Sequence, residues 1–138
     1  MDKALNYLAL ARKGGLAELG EEPVGAISRT GKAYVILVAG DASDHTWRRA
    51  KSYAAGTDQQ CIRLECTKEQ MGFVVGRTSL AIAAITDAAL ALALVKALGQ
   101  PETYQASLEV LEAKAAKAKK RQAEAKAHKR NVRLGKKK

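Results

Sequence analysis

The sequence predicts an α/β fold: a three-layer α/β/α sandwich with a small, mostly parallel (mixed) central sheet, followed by a basic C-terminal tail. Short β-branched apolar runs alternate with longer segments that carry helix start and stop signals, as in domains whose helices cover both faces of a sheet. Charge divides the chain, because residues 101–138 carry 12 Lys and Arg against 4 Asp and Glu, whereas residues 1–100 carry 12 against 10. We therefore expect a body, residues 1–99, and a tail, residues 100–138.

Capping and turn residues place the elements of the body. Pro23 suits the first turn of a helix, Ser43 or Asp44 can cap another, and residues 67–70 (TKEQ) fit a capping box. Residues 34–39 (YVILVA) form the continuous apolar run of a strand buried on both faces. In chain order we predict helix 3–12, a short edge strand near 16–18, helix 21–30, strand 34–39, helix 43–55, strand 60–65, a short helix from 67 to about 72, strand 80–85 and helix 86–98.

The tail is predicted to be a helix that docks only at its start. Tyr104, Leu108 and Leu111 have helical spacing and can pack one face on the body. Beyond Leu111 the only apolar residues up to Ala127 are alanines, so a helix over Glu102–Ala127 should project or fray. We expect residues 131–138 to be disordered.

Composition argues against a membrane protein. The apolar stretch over residues 80–98 contains Thr86 and Asp87 near its centre, and an Asp at mid-bilayer costs about 2.5–3.5 kcal/mol. No targeting signal is recognisable at the start of the sequence, and the tail beyond Leu111 lacks the aromatic and large apolar face of a membrane-surface helix. We expect a cytoplasmic monomer without a membrane partner.

No catalytic or metal-binding set is recognisable. Cys61 and Cys66 are the only cysteines, and His45 and His128 lie far from them in sequence, whereas structural zinc needs four ligands. Neither a Gly-x-Ser-x-Gly nor a His-Glu-x-x-His motif occurs. Residues 72–78 (GFVVGRT) slightly resemble a phosphate loop but are one residue short and lack its Lys. We expect a protein that is not an enzyme and has no metal or cofactor.

Five segments, in order and spacing, resemble one known family. Residues 8–15 (LALARKGG) are similar to its LGLARKAG opening, and residues 29–33 (RTGKA) lead into a strand as its RxGKAxLVILA does. Residues 41–46 (DASDHT) match EDASxNT; residues 67–76 (TKEQMGFVVG) and 83–87 (AAITD) match TKEELGxAxGK and VVAITD. The chain thus resembles, over residues 4–98, the kink-turn-binding ribosomal-protein family (the L-seven-Ae and L-thirty-e superfamily), most closely its bacterial YlxQ-like branch.

The resemblance implies two RNA-binding segments. In the family, polar side chains at the start of the second helix read guanines of tandem G·A pairs in a kinked RNA. The loop between the short fourth helix and the last strand packs on an extruded nucleotide. Gly25 stands nearest to a position where relatives have a phosphate-binding Lys, which predicts a weaker preference for kink-turn RNA. The implied RNA-binding residues are Gly20, Glu21, Glu22, Val75, Gly76, Arg77 and Thr78, with Lys13 and Lys32 supplying charge.

The leading hypothesis is a non-enzymatic RNA-binding protein, associated with the ribosome or translation and part of a ribonucleoprotein. The body would dock structured, kink-turn-like or ribosomal RNA, and the tail would neutralise phosphates. The alternative is a protein-interaction module on the same scaffold that has lost specific RNA recognition, with a tail that binds polyanions non-specifically. The expected phosphate contacts are Lys117, Lys119, Lys120, Arg121, Lys126, Lys129, Arg130 and Arg133.

Overall fold

The order of helices and strands in the structure follows the predicted order. The fold was obtained as a computed structural model that describes the backbone of residues 1–135 and the side chains of residues 1–129. The α/β class is confirmed. The elements are α1 Asp2–Lys13, β1 Ala17–Leu19, α2 Glu21–Arg29, β2 Val35–Val38, α3 Asp44–Ala54, β3 Gln60–Arg63, α4 Lys68–Val74, β4 Ile82–Ile85, α5 Ala88–Ala97 and α6 Gln105–Gly135.

The sheet has four strands in the order β1-β4-β2-β3 and is mixed, as predicted. Its parallel content is lower than the sequence suggested, because β2 and β3 are parallel while β4 runs antiparallel to both β1 and β2. A helix between two strands permits a parallel crossover but does not require one. The short α4 leads β4 into the sheet between β1 and β2 in the opposite direction.

Helices cover both faces of the two central strands. Every residue of β2 and β4 is buried, as expected for strands with a layer on each side. On one face α2 packs against α3; on the other, α1 packs against α4 and α5, and α5 against α6. The predicted three-layer α/β/α sandwich is therefore confirmed.

The predicted caps form where the sequence placed them. The Ser43 hydroxyl accepts a hydrogen bond from the Thr46 N–H at 3.1 Å, and the side chains of Thr67 and Gln70 complete a capping box. The carboxylate of Asp87 accepts from the Leu90 N–H at 2.9 Å. These caps satisfy backbone donors that a helix start leaves unpaired, so they fix where α3, α4 and α5 begin.

The start of the tail is part of the core. Leu111 is fully buried, and Tyr104 and Leu108 pack against the core, as their spacing predicts. Contact continues further than predicted, because half-buried positions recur along α6 as far as Ala118. Alanines are small enough to let α6 lie close to α5. From Lys119 to Lys129 every side chain is exposed.

The far end of α6 differs from the prediction. The helix runs to Gly135 rather than ending near Ala127, so residues 131–135 are helical where we expected disorder. No Gly or Pro interrupts the sequence before Gly135, and Lys, Arg, Ala and Leu all have high helix propensity. Residues 136–138, also predicted to be disordered, lie outside the described residues.

Candidate nucleic-acid interface

Two of the segments predicted from the sequence meet at one end of the sheet. The Gly20 N–H donates to the Ile82 carbonyl at 2.9 Å, which holds the start of α2 beside the start of β4. A Cβ atom on Gly20 would lie 3.9 Å from Nη1 of Arg77, so the guanidinium stands directly over this glycine. We call residues 20–22 and 76–78 the loop end.

The loop is fixed by the way α4 ends. The Arg77 N–H donates to the Gly72 carbonyl at 2.8 Å and the Gly76 N–H to the Phe73 carbonyl at 3.3 Å, which is the Schellman pattern. Gly76 has φ of +74°, the left-handed conformation that this motif requires. A Cβ on Gly72 would lie 2.8 Å from the Arg77 carbonyl oxygen, so only glycine fits there. These glycines set the position of Arg77.

Val75 does not face a ligand. Its side chain is buried in the core with 2% of its surface exposed, whereas Gly76, Arg77 and Thr78 are exposed. The sequence placed all four in the RNA-contacting loop. In the structure α4 continues to Val74 instead of stopping near Gly72, and Val75, the next residue, packs inward.

The two carboxylates at the start of α2 have different environments. Glu21 accepts a hydrogen bond from the Thr46 hydroxyl at 3.2 Å and an ion-paired one from Nη1 of Arg49 at 3.5 Å, so its carboxylate is held by α3. Glu22 is exposed. Glu22 is therefore the carboxylate that a ligand at the loop end would meet, and both favour the positive end of the helix dipole.

Gly25 does not occupy a ligand-facing position. It is buried, and a Cβ there would lie 3.0 Å from the hydroxyl oxygen of Tyr53 on α3. A side chain at this position would require Tyr53 to shift by a few tenths of an ångström. Packing between α2 and α3 is therefore tight at Gly25, whereas the neighbouring Ala26 is exposed.

Lys13 and Lys32 lie at the opposite end of the sheet from Gly20. Lys13 is the last residue of α1, three residues before Leu16. The Leu16 carbonyl accepts a hydrogen bond from the Thr86 N–H, which follows the end of β4 that lies away from Gly20. Lys32 precedes β2 at that same end. The two ends of the four-residue strand β4 are about 13 Å apart. The structure thus separates these two lysines from the loop end.

The tail cations fall into three sets. Lys114 forms an ion pair with Asp58 that holds the pKa of this carboxyl below its usual value, and Lys117 and Arg121 line a recess beside it. Lys119, Lys120, Lys126 and Lys129 are exposed. The backbone of the predicted contacts Arg130 and Arg133 is helical, within α6.

Sequence reasoning missed two residues near the loop end. Arg49 adds a guanidinium beside Glu21, but the two residues are far apart in the chain, so no local pattern connects them. Phe73 is 82% exposed on α4, three residues before Gly76. In the sequence Phe73 begins an apolar run, residues 73–75, which suggests a buried segment. Its exposure can be recognised only from the structure.

The cysteines show the features of packed side chains. Burial raises the pKa of Cys61 to about 11 and also raises the pKa of Cys66, so both thiols are largely protonated at neutral pH. Within the residues whose side chains are described, no three His, Cys, Asp or Glu side chains cluster as metal ligands. None of the helices within residues 1–135 combines bilayer-spanning length with sufficient apolar character.

The fold defines a class of small α/β/α proteins with known representatives. A Bacillus halodurans protein of unknown function matches with a TM-score of 0.65 and 20% identity, over 70% of this chain and 97% of its own. The 15.5 kD RNA-binding protein of Giardia lamblia matches with a TM-score of 0.61 and 16% identity, over 73% of this chain and 86% of its own. At these identities, both matches show similarity of fold alone.

A sequence comparison finds one curated relative with partial coverage. The RNA-binding protein YlxQ of Enterococcus faecium is 36% identical over 62 residues, which is 45% of this chain. The chain spans 60% of the length of that curated relative. No protein-family model matches the chain. The YlxQ match confirms the predicted resemblance to the kink-turn-binding superfamily and its YlxQ-like branch.

Proposed function

We propose that this protein is a non-enzymatic, translation-associated RNA-binding protein that docks structured RNA at the loop end. The observation that carries the proposal is the guanidinium of Arg77 beside Gly20, at the N-terminus of α2. A helix N-terminus presents backbone N–H groups and a partial positive charge to an anion, and Arg pairs with phosphate through two parallel hydrogen bonds. The names of YlxQ and of the Giardia protein support RNA as the class of partner.

The shape of the loop end supports recognition of an irregular RNA rather than a uniform duplex. Gly76 lacks a side chain and has open space beside it, so an RNA backbone or an extruded base can approach closely at this position. Arg77 and Thr78 supply donors for phosphate oxygens. The exposed carboxylate of Glu22 repels phosphate and can accept a hydrogen bond from a guanine edge, so it disfavours non-specific contact.

Chemical-shift mapping on the full chain tests this assignment. We expect a kink-turn RNA to move the amide signals of Gly20 and Gly76, because both border the proposed contact, and a straight duplex of equal length to move them less. Arg77→Ala should reduce the shifts, while the charge-matched Arg29→Ala, at the other end of α2, should leave them unchanged. Shifts confined to α6 with both RNAs would contradict docking at the loop end.

A groove between α1 and α4 favours a second candidate, a protein-interaction module. The groove has a volume of about 500 Å³ and is lined by Met1, Leu5 and the exposed Phe73, with Asp2, Glu65 and Glu69 adding negative charge. An acidic, partly apolar groove suits a basic amphipathic peptide better than RNA. If Phe73→Asp leaves RNA affinity unchanged, the groove is not part of the RNA interface; a loss equal to that of Arg77→Ala would place it there.

A further inference from the structure

A small recess lies where α6 crosses the segment that leads into β2. Its volume is about 80 Å³, and it is lined by Gly31 and Tyr34 from the body and by Lys114, Lys117 and Arg121 from α6. The three α6 residues are three and four positions apart, so they lie one above another on one face of the helix. The recess is at the opposite end of the sheet from the loop end.

The side chains that line the recess carry more positive than negative charge. Among the residues whose side chains are described, Asp58 is the only carboxylate that lines the recess, and it is already paired with Lys114. Lys117 and Arg121 form no ion pair with any of residues 1–129. Like charges one helical turn apart destabilise a helix, and an anion placed between them would remove that repulsion.

Three other tail cations do not line this recess. Lys120, Lys126 and Lys129 are exposed. Each of these lysine side chains loses conformational freedom when it binds a ligand, and each contributes a single charge. Lys117 and Arg121 are exposed as well, but they line the recess together with Tyr34 of the body.

We propose that this recess binds one phosphate group of RNA, with Arg121 and Lys117 as its principal ligands. The guanidinium of Arg121 can hold two phosphate oxygens, and the Lys117 ammonium a further one. The proposal rests on the proposed function in taking RNA as the partner. It goes further in assigning part of the tail a defined site rather than a diffuse attraction for polyanions.

Two charge-matched double variants of the full chain test the proposal. We expect Lys117→Gln with Arg121→Gln to weaken binding of a single-stranded RNA oligonucleotide about tenfold or more, because charged hydrogen bonds are lost. Lys120→Gln with Lys126→Gln removes the same charge outside the recess and should weaken binding only about two- to threefold. Gln is a good helix former, and circular dichroism verifies that both variants keep α6. Equal losses would overturn the proposal.

Chemical shifts of Gly31 and Tyr34 separate the possible outcomes. We expect the oligonucleotide, and inorganic phosphate at higher concentration, to move these signals in the unmodified chain but not in the recess variant. If phosphate moves them and RNA does not, RNA is excluded as the ligand of the recess. If RNA binds and moves Gly20 and Gly76 but not Gly31 and Tyr34, the recess proposal fails while docking at the loop end stands.

Discussion

The two ends of the sheet differ in how they could hold a nucleic acid. At the loop end, backbone hydrogen bonds and tightly packed glycines set the position of Arg77, whose guanidinium lies beside Gly20, the residue before Glu21 and Glu22. At the other end, which we call the tail end, α6 carries many cations, most of them exposed on one projecting helix. The loop end therefore has defined shape and little net charge, whereas the tail end has high charge and little shape.

This difference separates the sources of specificity and affinity. Non-specific phosphate contacts supply affinity that falls steeply with salt, while positioned donors and close backbone approach discriminate between RNA structures. An RNA bound at both ends has to extend along the body. The division predicts that substitutions at the tail end change salt dependence and that substitutions at the loop end change preference among RNAs.

The largest effect is expected from neutralising the exposed part of the tail. Replacing Lys119, Lys120, Lys126 and Lys129 with Gln should reduce the steepness of log K against log salt by up to about 3, since each phosphate contact contributes about 0.7 to 0.9. Titration of one RNA at several salt concentrations measures this slope. These substitutions are preferable to truncation at Gly99, which would also remove Leu111 from the core. An unchanged slope would show that the tail does not contact phosphate.

The next effect concerns the loop end. Arg77→Ala should weaken kink-turn RNA binding about 10- to 100-fold, because a charged hydrogen bond is worth about 1.5–3 kcal/mol. Arg29→Ala is the matched control, since Arg29 is also exposed on the body but lies at the far end of α2. Arg63 is a poor control because its guanidinium donates to the Ala42 carbonyl at 2.9 Å and lies over the Trp47 ring. Similar losses for Arg77→Ala and Arg29→Ala would remove any special role of the loop.

Local signals in the sequence predicted the elements well. Caps such as Ser43 and the Thr67–Gln70 box act within one helical turn, and the run at Val35–Val38 has the length of one strand, so short segments contain the necessary information. Gly20 and Arg77 were both singled out by the family resemblance rather than by any local pattern, and their adjacency is a finding of the structure. Their role in binding RNA stays a prediction.

What the sequence did not predict depends on contacts between distant residues. The antiparallel direction of β4, the Glu21–Arg49 ion pair and the packing of Gly25 on Tyr53 each join segments that are far apart in the chain. The distance of Lys13 and Lys32 from Gly20 was not predicted, because side-chain charge does not specify which end of a strand a residue occupies. The extended contact of α6 was missed because alanines give no periodic apolar signal.

A Lys at Gly25 should fail to improve the loop end. Gly25→Lys gains about 1 kcal/mol in helix propensity, but overpacking against Tyr53 costs about 1–3 kcal/mol, so the melting temperature should fall. The control is Ala26→Lys, which adds the same charge at an exposed position of α2 and should raise RNA affinity without loss of stability. Thermal unfolding and paired titrations on kink-turn and duplex RNA measure both effects. A selective gain in kink-turn affinity for Gly25→Lys would contradict the packing argument.

A smaller effect should distinguish the two carboxylates of α2. Glu22→Gln should raise RNA affinity about twofold to fivefold, since repulsion between an exposed charge and a nearby phosphate is worth about 0.5–1 kcal/mol in water. Glu21→Gln should instead lower stability by about 0.2–1 kcal/mol, because Glu21 pairs with Arg49 at a largely exposed site. Titration at low salt and denaturant unfolding measure the two quantities. If Glu21→Gln raises affinity as much as Glu22→Gln, Glu21 also faces the RNA.

The smallest effect tests how α6 is attached at the tail end. Lys114 holds the pKa of Asp58 below its ordinary value of about 3.9, so the ion pair stabilises the folded protein above that pH and the contribution is lost as pH falls through the lowered pKa. Asp58 is largely exposed, so Asp58→Asn should cost only a few tenths of a kcal/mol at neutral pH. Denaturant unfolding of both proteins should show this difference at pH 7 and a progressively smaller one as pH falls through the lowered pKa, because protonation removes the charge of Asp58. Hydrogen exchange in α6 near Lys114 should also be faster in Asp58→Asn at pH 7, while exchange at Gly20 and Gly76 should be unchanged. A difference that does not decrease as pH falls would mean that Asp58 stabilises the protein through packing rather than through its charge.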